Sequence, residues 1–205
     1  MDALSFPRLH VLTDDLEVVR GVARPGVAVQ IRVKSNDRVA YGVTVAAVEL
    51  CRAAGAMCLV NDRIGVALAA GADGVHLGDD DLPVDAARRV LGPDAVVGAT
   101  CRTPEAARAA VAQGASYLGV GPAFTSSTKD GLPPPLGPDR IAVVAAAVPG
   151  TPVLAIGGIT LSHLPRFAGR VHGIAAIAAF TTDPSGAAEA FLTALASPAT
   201  REGLS

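Results

Sequence analysis

The sequence predicts an α/β protein, a single compact (β/α)8 barrel in which eight parallel strands alternate with helices. Three observations support this prediction. Eight short apolar runs rich in β-branched residues recur along the 205 residues, segments patterned like amphipathic helices lie between them, and no glycine-rich fingerprint follows the first run, LHVLTDD. Apolar strands separated by helices indicate a parallel sheet covered on its outer side. A doubly wound open sheet is the alternative, but it should carry that glycine fingerprint.

The eight predicted strands are short and almost free of charge. They are LHVLT (9–13), VAVQIRV (27–33), AMCLV (56–60), GVHL (74–77), AVVGA (95–99), YLGVG (117–121), PVLAI (152–156) and GIAAI (173–177). Little chain separates the first two, so we expect a shortened first helix. Eight strands, each followed by a helix, complete the barrel.

The helical segments carry recognisable ends. The clearest segments cover residues 38–55, 82–92, 103–114, 138–148 and 184–197. Thr103-Pro104 and Asp183-Pro184 offer a capping side chain followed by proline at the first helical position. Gly55, Gly71 and Gly114 stand where a helix would end and lead into the next strand. We therefore predict one domain over residues 1–205, with a flexible C-terminal tail from about residue 198.

Charge and cysteine content exclude several classes of protein. The chain has 17 basic and 19 acidic residues, a net charge of −2, and no block of like charge, which disfavours a dedicated nucleic-acid binder. Three cysteines without a C-x-x-C pair suggest neither a disulfide framework nor a zinc site. The N-terminal residues lack the apolar stretch of a signal peptide, and prolines and glycines interrupt the longest uncharged stretch. We expect a cytoplasmic protein without a membrane partner.

Basic side chains suited to phosphate gather at the predicted strand ends, where barrel enzymes carry their active sites. The chain has only two lysines, Lys34 and Lys129, and both fall at strand ends or in the loops that follow them. An ammonium suits phosphate as a point charge, and Arg32 could grip it with two donors. The alternative is that both lysines are solvated surface residues.

Two carboxylates follow adjacent predicted strands, Asp62 after the third and Asp81 after the fourth. Carboxylates without a nearby histidine favour Mg²⁺, which usually also binds substrate phosphate. The alternative is that Asp62 caps the third helix and that Asp79-Asp80-Asp81 is a solvated acidic turn.

The last strand ends suggest a phosphate site and a binding loop. Gly157-Gly158 follows the seventh strand, and small residues follow the eighth, as in the phosphate sites of many barrels, although a glycine pair could also be a tight turn. The longest connection, residues 124–137, is rich in hydroxyls and prolines and could be a lid or a stiff spacer. We expect His76 to be a packed, hydrogen-bonded residue and Cys58 to belong to the core. No nucleophile has an evident base partner.

Four segments of this sequence resemble the thiamine-phosphate synthase family over nearly the whole chain. They are QIRVK (30–34), LVNDRIGVALAAGADGVHLGDDDLP (59–83), GVGPAFTSSTK (119–129) and VLAIGGI (153–159). The second is the most specific, because its asparagine-aspartate-arginine and HLG-x-x-D elements stand at the family's separation. The resemblance implies a Mg²⁺-dependent transferase of thiamine biosynthesis. The 4-amino-2-methylpyrimidinyl-methyl group would leave its diphosphate and be captured by the nitrogen of a thiazole phosphate.

The resemblance also implies roles for individual residues, which we carry over by position. The pyrimidine diphosphate would be held by Gln30, Arg32, Lys34 and Asn61, with Lys129 and Arg32 as the catalytic cations and Asp62 and Asp81 as the Mg²⁺ ligands. The thiazole phosphate would meet Ser126, Thr128, Gly158 and the backbone of Ile177 and Ala178. Thr100 stands where the family usually has a substrate-binding serine.

Departures from the family pattern leave alternatives open. Cys101-Arg102 replaces a usual threonine-histidine, Ser126 replaces a threonine, and Ala178 replaces a serine and loses its hydroxyl. The sister family, thiazole tautomerase, shares the fold but carries a histidine after the sixth strand, where this chain has Pro122. A degenerate barrel acting as a binding or regulatory protein is the third possibility. The oligomeric state, including a homo-oligomer, stays open.

Overall fold

The protein folds into a closed parallel barrel. The computed structural model describes residues 6–125, 131 and 133–197. Eight strands lie side by side in chain order, and the barrel closes where β1 pairs with β8. The strands are β1 (Leu9–Thr13), β2 (Val27–Ile31), β3 (Met57–Asn61), β4 (Gly74–Leu77), β5 (Val96–Cys101), β6 (Tyr117–Val120), β7 (Val153–Ile156) and β8 (Gly173–Ala176). The predicted fold is confirmed, and every predicted strand overlaps an observed one.

Helices follow the strands on the outside of the barrel. They are α1 (Leu16–Val22), α2 (Asp37–Ala54), α3 (Ile64–Ala70), α4 (Val84–Leu91), α5 (Pro104–Ala112), α6 (Gly137–Ala146) and α7 (Pro184–Ala196). The first helix is short, as predicted. The connection after β7 differs from the expected α-helix, because Leu161–Arg166 forms a 3₁₀ helix that contains Pro165, which lacks an N–H to donate. A second 3₁₀ turn, Ala178–Phe180, lies between β8 and α7.

The predicted helix ends are present. The Thr103 hydroxyl accepts a hydrogen bond from the Ala106 N–H at 3.2 Å, and the Asp183 carboxylate accepts one from the Gly186 N–H at 3.0 Å. Gly55 ends α2 in the left-handed conformation, with φ of 70°. The predicted tail from residue 198 lies outside the described residues.

Two layers of buried side chains stabilise the barrel. Outward-facing strand residues, such as Val11, Val29 and Val75, pack with the helices in the larger core. A smaller cluster inside the barrel contains Leu59 and Tyr117 and is completed by Phe6, Ala28, Val96 and Leu154. Because side chains alternate along a strand, positions two residues further toward the carboxyl ends also face inward. On β2 and β3 those positions carry the polar side chains of Gln30 and Asn61, which places polar groups at that end of the barrel.

Among the described residues, no helix combines the length and the apolar character that crossing a membrane requires.

Candidate active site

A cavity of about 660 Å³ opens at the carboxyl ends of the strands. Eight of the predicted site residues line it: Gln30, Arg32, Asn61, Asp62, Thr100, Gly158, Ile177 and Ala178. Lys34 and Asp81 do not line it: Lys34 is exposed two residues after the lining residue Arg32, and Asp81 is hydrogen-bonded to the lining residue Gly78. Ser126, Thr128 and Lys129 lie outside the described residues. The structure thus brings residues distant in the sequence to one opening.

The floor of the cavity is a chain of polar side chains that crosses the barrel. The Nδ1 atom of His76 lies 3.0 Å from the Tyr117 hydroxyl, and its Nε2 atom lies 3.1 Å from the Thr100 hydroxyl. The side chain of Gln30 hydrogen-bonds Tyr117 in turn. Gly98 makes room for this arrangement, since a Cβ there would lie 2.2 Å from the Tyr117 ring. His76 is packed and hydrogen-bonded, as predicted, and it also lines the cavity.

This chain of hydrogen bonds leaves one acceptor and one donor for a ligand. The Oε1 atom of Gln30 is buried and has no hydrogen-bond partner among the described residues. If the Gln30 amide donates to Tyr117, the phenol donates to His76 and His76 donates to Thr100, then the Thr100 hydroxyl keeps its own proton. The floor therefore offers an amide oxygen that can accept and a hydroxyl that can donate.

The loop after β2 carries Arg32 and Lys34, and a side chain that follows β3 hydrogen-bonds to its backbone. The Arg32 N–H still donates to the Thr13 carbonyl at 2.9 Å, so the strand pairing extends one residue past β2. The Arg63 guanidinium then donates to the carbonyls of Val33 and Ser35. The predicted strand over 27–33 is therefore two residues too long, because these carbonyls bond a side chain rather than a neighbouring strand.

Asp62 and Asp81 present a donor set that fits Mg²⁺. The N-terminal cap position of α3 is Arg63, without a side-chain hydrogen bond, and Asp62 precedes it. Asp62 has a left-handed φ of 64°, and its N–H donates to the His76 carbonyl at 2.8 Å. Asp81 accepts from the Gly78 N–H at 2.6 Å with one oxygen, which leaves the second for a ligand.

Two carboxylates would supply only part of the coordination shell of a metal ion. Within the described part of the chain, no group of three or more His, Cys, Asp or Glu side chains could hold a metal ion. Mg²⁺ commonly binds one or two carboxylates and completes its shell with water and substrate phosphate. The two carboxylates that follow adjacent strands fit this mode of coordination.

The opposite side of the cavity is made of backbone. Gly157 and Gly158 have φ of 98° and 65°, values that favour glycine. A Cβ at Gly158 would lie 2.5 Å from the Thr125 carbonyl oxygen, so the loop after β6 packs directly on this turn. Phe124 of that loop stacks on His163 of the 3₁₀ helix at 4.0 Å between ring centroids. The glycine pair is therefore needed for close packing at the predicted phosphate site.

Buried thiols contribute nothing reactive to the cavity. Cys51, Cys58 and Cys101 are all buried. Burial raises the pKa of the Cys101 thiol to about 12. A hydrogen bond that the Cys58 thiol donates to Cys51, together with burial, raises the pKa of Cys58 well above its usual range. A thiol with a raised pKa is a poor nucleophile at neutral pH. The prediction that Cys58 belongs to the core is confirmed.

Sequence reasoning did not assign His76, Tyr117 and Arg102 to the site. His76 and Tyr117 occupy inward-facing strand positions, and a polar residue at such a position in an apolar strand was the available signal. Arg102 lines the cavity from the loop after β5. Nothing in the sequence shows what its guanidinium contacts, because those partners come from another loop.

Comparison with known proteins points to one family. The model of the thiamine monophosphate synthase family matches residues 7–180. A thiamine-phosphate synthase of Salinispora arenicola is 52% identical over 206 aligned positions, covering 93% of this chain and 98% of that relative. A thiamine-phosphate synthase of Salinispora tropica is 49% identical over the same share of each chain.

Solved structures of the same fold include one with a related sequence. A thiamine phosphate pyrophosphorylase from Pyrococcus furiosus superposes with a TM-score of 0.82 at 32% identity, covering 92% of this chain and 95% of that one. A 4-hydroxy-2-oxoglutarate aldolase superposes with a TM-score of 0.68 at 20% identity and shares the fold alone. The family model covers most of the chain, and the relatives match almost its full length. The chain therefore belongs to the thiamine monophosphate synthase family.

Proposed function

We propose that the protein is a thiamine-phosphate synthase. It transfers the 4-amino-2-methylpyrimidinyl-methyl group from its diphosphate to the ring nitrogen of a thiazole phosphate, and it releases thiamine phosphate and pyrophosphate. Family membership and the names of the relatives support this transferase activity. The observation in the cavity that supports it best is the buried Gln30 Oε1 atom without a partner among the described residues.

The floor of the cavity suits an aminopyrimidine. An amino group on the ring donates hydrogen bonds, and the neighbouring ring nitrogen accepts them. Gln30 Oε1 would accept from the amino group, and the Thr100 hydroxyl would donate to the ring nitrogen. Because both side chains are held by Tyr117 and His76, they meet the ring without reorganising.

The diphosphate would lie toward the ends of β2, β3 and β4. Arg32 lines the cavity there and offers the bidentate donors that phosphate favours. Asp62 and Asp81 would hold Mg²⁺, and Lys34 and Lys129 would add positive charge, with Asn61 as a neutral donor. Bound Mg²⁺ supplies charge that stabilises the departing diphosphate.

The thiazole phosphate would bind at the ends of β7 and β8. Gly158 and the backbone of Ile177 and Ala178 line the cavity on that side. Backbone N–H groups in such turns hold phosphate in many barrels, so the missing hydroxyl at Ala178 leaves the main donors in place. Ser126 and Thr128 would complete this site.

The reaction requires little acid–base catalysis by the protein. The bond from the methylene carbon to the diphosphate oxygen breaks, and its electron pair leaves with the diphosphate. The thiazole nitrogen then forms the new bond to the same carbon with its lone pair. The protein holds the two substrates close together and stabilises the leaving charge, which explains why no nucleophile–base pair is needed.

The two alternatives from the sequence have less support. The tautomerase reading requires a histidine after β6, and the cavity wall there is formed by Gly121 and Pro122. A degenerate binding barrel would not need the floor and the two carboxylates to be retained together. Neither reading accounts for the unpaired Gln30 oxygen.

Product formation tests the proposal. Purified protein with both substrates and Mg²⁺ should yield thiamine phosphate and pyrophosphate, measured by chromatography, and EDTA should abolish the product. Asp62→Asn should lower kcat roughly 100-fold, because charge stabilisation by a bound metal is worth several kcal/mol. Asp94→Asn is the matched control, since Asp94 is exposed before β5 at the other end of the barrel, and its activity should be unchanged. The absence of product from the unmodified protein would refute the proposal.

A further inference from the structure

Arg102 makes contacts that the proposed function does not use. It follows β5 and is partly buried at the cavity wall. Its Nη1 atom donates to the Gly121 carbonyl at 2.6 Å, and its Nη2 atom donates to the Pro134 carbonyl at 2.8 Å. Gly121 directly follows β6, and Pro134 comes shortly before α6. One guanidinium therefore spans both ends of the connection between β6 and α6.

Those two ends form a neck, which we define as residues 121–123 and 134–137. Backbone bonds close it, since the Leu136 N–H donates to the Pro122 carbonyl at 2.8 Å and the Gly137 N–H donates to the Ala123 carbonyl at 3.1 Å. These bonds join the neck to itself. Arg102 is different, because it connects both segments of the neck to the end of β5.

We infer that Arg102 is a positioning residue: by holding the neck, it sets where the described ends of the loop, Thr125 and Pro133, line the cavity. This inference rests on the proposed function, which assigns Ser126, Thr128 and Lys129 to the two substrates. By fixing the neck, Arg102 would place the segment that carries those side chains. It acts through the protein and does not contact a substrate.

The shape of the side chain supports this role over a simple charge. A guanidinium is a planar fork with donors at fixed directions, so it can bond two carbonyls at once. A lysine ammonium keeps the charge at one point and cannot bridge two carbonyls in the same way. Both terminal nitrogens of Arg102 are already engaged by the neck. Arg102→Lys therefore separates the bridge from the charge.

The scarcity of lysine gives a readout that does not depend on activity. Lys34 and Lys129 are the only two lysines in the sequence, so a lysine-specific protease can cut the native chain at two places only. One lies in the segment that follows the neck, and the other lies after β2 and serves as an internal reference. Fragment masses distinguish the two cuts, and they also identify the additional cut after position 102 that Arg102→Lys allows.

Arg88→Met is the matched control. Arg88 also donates to backbone carbonyls of two loops, those of Gly114 at 2.9 Å and Pro93 at 3.2 Å, at the other end of the barrel. Arg88 also donates to Gly92, Ala95 and Ser116, so its loss removes more hydrogen bonds than the loss of Arg102 does, without touching the neck. Thermal melts of all variants show that they are folded.

Arg102→Met and Arg102→Lys should each speed cleavage after Lys129 by about tenfold, since a local opening becomes easier when its charged hydrogen bonds are lost. Cleavage after Lys34 should stay unchanged, and Arg88→Met should change neither cut. Unchanged cleavage after Lys129 in both Arg102 variants would overturn the inference, whether or not the protein makes thiamine phosphate.

Kinetics separate positioning from direct contact with a substrate. Both Arg102 variants should lower kcat by about 10- to 100-fold, because small misplacements of substrate-holding groups have effects of that size, while each KM changes less than about threefold. If Arg102→Lys keeps the unmodified kcat and cleavage rate while Arg102→Met raises a KM, the charge of residue 102 acts directly on a substrate and the positioning role is wrong.

Discussion

At the floor of the cavity, Gln30 contacts Tyr117 through its amide while its carbonyl oxygen stays buried without a partner among the described residues. A buried acceptor without a partner is costly in a folded protein. The cost is offset when a ligand supplies the donor. In the proposed function, this single side chain therefore links the stability of the protein to recognition of the pyrimidine.

The polar layer includes groups that serve the fold rather than the ligand. Burial lowers the pKa of His10 to about 3, with His76 and His172 contributing further, so its imidazole is neutral at physiological pH. Burial also raises the pKa of the Tyr117 phenol well above its usual range. Both groups keep their uncharged forms, which lets the interior of the barrel carry polar atoms without buried charge.

Tyr117→Phe tests the floor at the scale of one hydroxyl. The ring remains, but the Gln30 amide and the His76 Nδ1 atom lose a shared partner. We expect the free energy of unfolding to fall by about 1–3 kcal/mol and the KM for the pyrimidine diphosphate to rise. Denaturant titration and steady-state kinetics measure the two effects. Tyr41→Phe is the control, because Tyr41 is 45% exposed and should tolerate the change; equal behaviour of both variants would show that the floor has no special role.

At the scale of elements, the connection after β7 is where the protein departs most from a regular barrel. A 3₁₀ helix replaces an α-helix there, and its His163 stacks on Phe124 of the loop after β6. The glycine turn before it packs against the same loop. Two connections are thereby joined above the predicted phosphate site, so the position of one depends on the other.

Gly158→Ala tests this joint. Gly158 and Gly150 both have positive φ, so alanine at either should cost about 1 kcal/mol of backbone strain. Only the Gly158 variant also meets the Thr125 carbonyl, whereas a Cβ at Gly150 meets nothing within 4 Å. We expect Gly158→Ala to be less stable and to raise the KM for the thiazole phosphate, while Gly150→Ala keeps normal kinetics. Matching kinetics in the two variants would contradict the joint.

Helix ends and strands were predictable because their signals are local. Thr103-Pro104 and Asp183-Pro184 specify caps through side chains three residues from the atoms they bond. The early end of β2 was missed because it depends on a distant partner, whereas the 3₁₀ helix after β7 contains Pro165, a local signal against an α-helix there. Arg63, which donates hydrogen bonds to the carbonyls after β2, follows the next strand of the barrel, β3.

For the whole molecule, the closed barrel brings the ends of eight strands to one rim, and that alone placed eight of the predicted residues around one cavity. The family assignment and the synthase function predicted from the sequence are confirmed by the family model and the relatives. The hydrogen-bonded floor could not be predicted in the same way. The floor combines side chains from four strands. Which of their side chains meet inside the barrel cannot be read from the spacing of residues in the sequence.

The most direct test of the proposed site is a crystal structure of the protein with thiamine phosphate, pyrophosphate and Mg²⁺. We expect the pyrimidine amino group to lie within hydrogen-bond distance of Gln30 Oε1 and the ring nitrogen to lie near the Thr100 hydroxyl. We also expect the thiamine phosphate group at the Gly158 and Ala178 backbone, with Mg²⁺ at Asp62 and Asp81. A pyrimidine ring bound away from Gln30, or a metal that avoids both carboxylates, would contradict the proposed site.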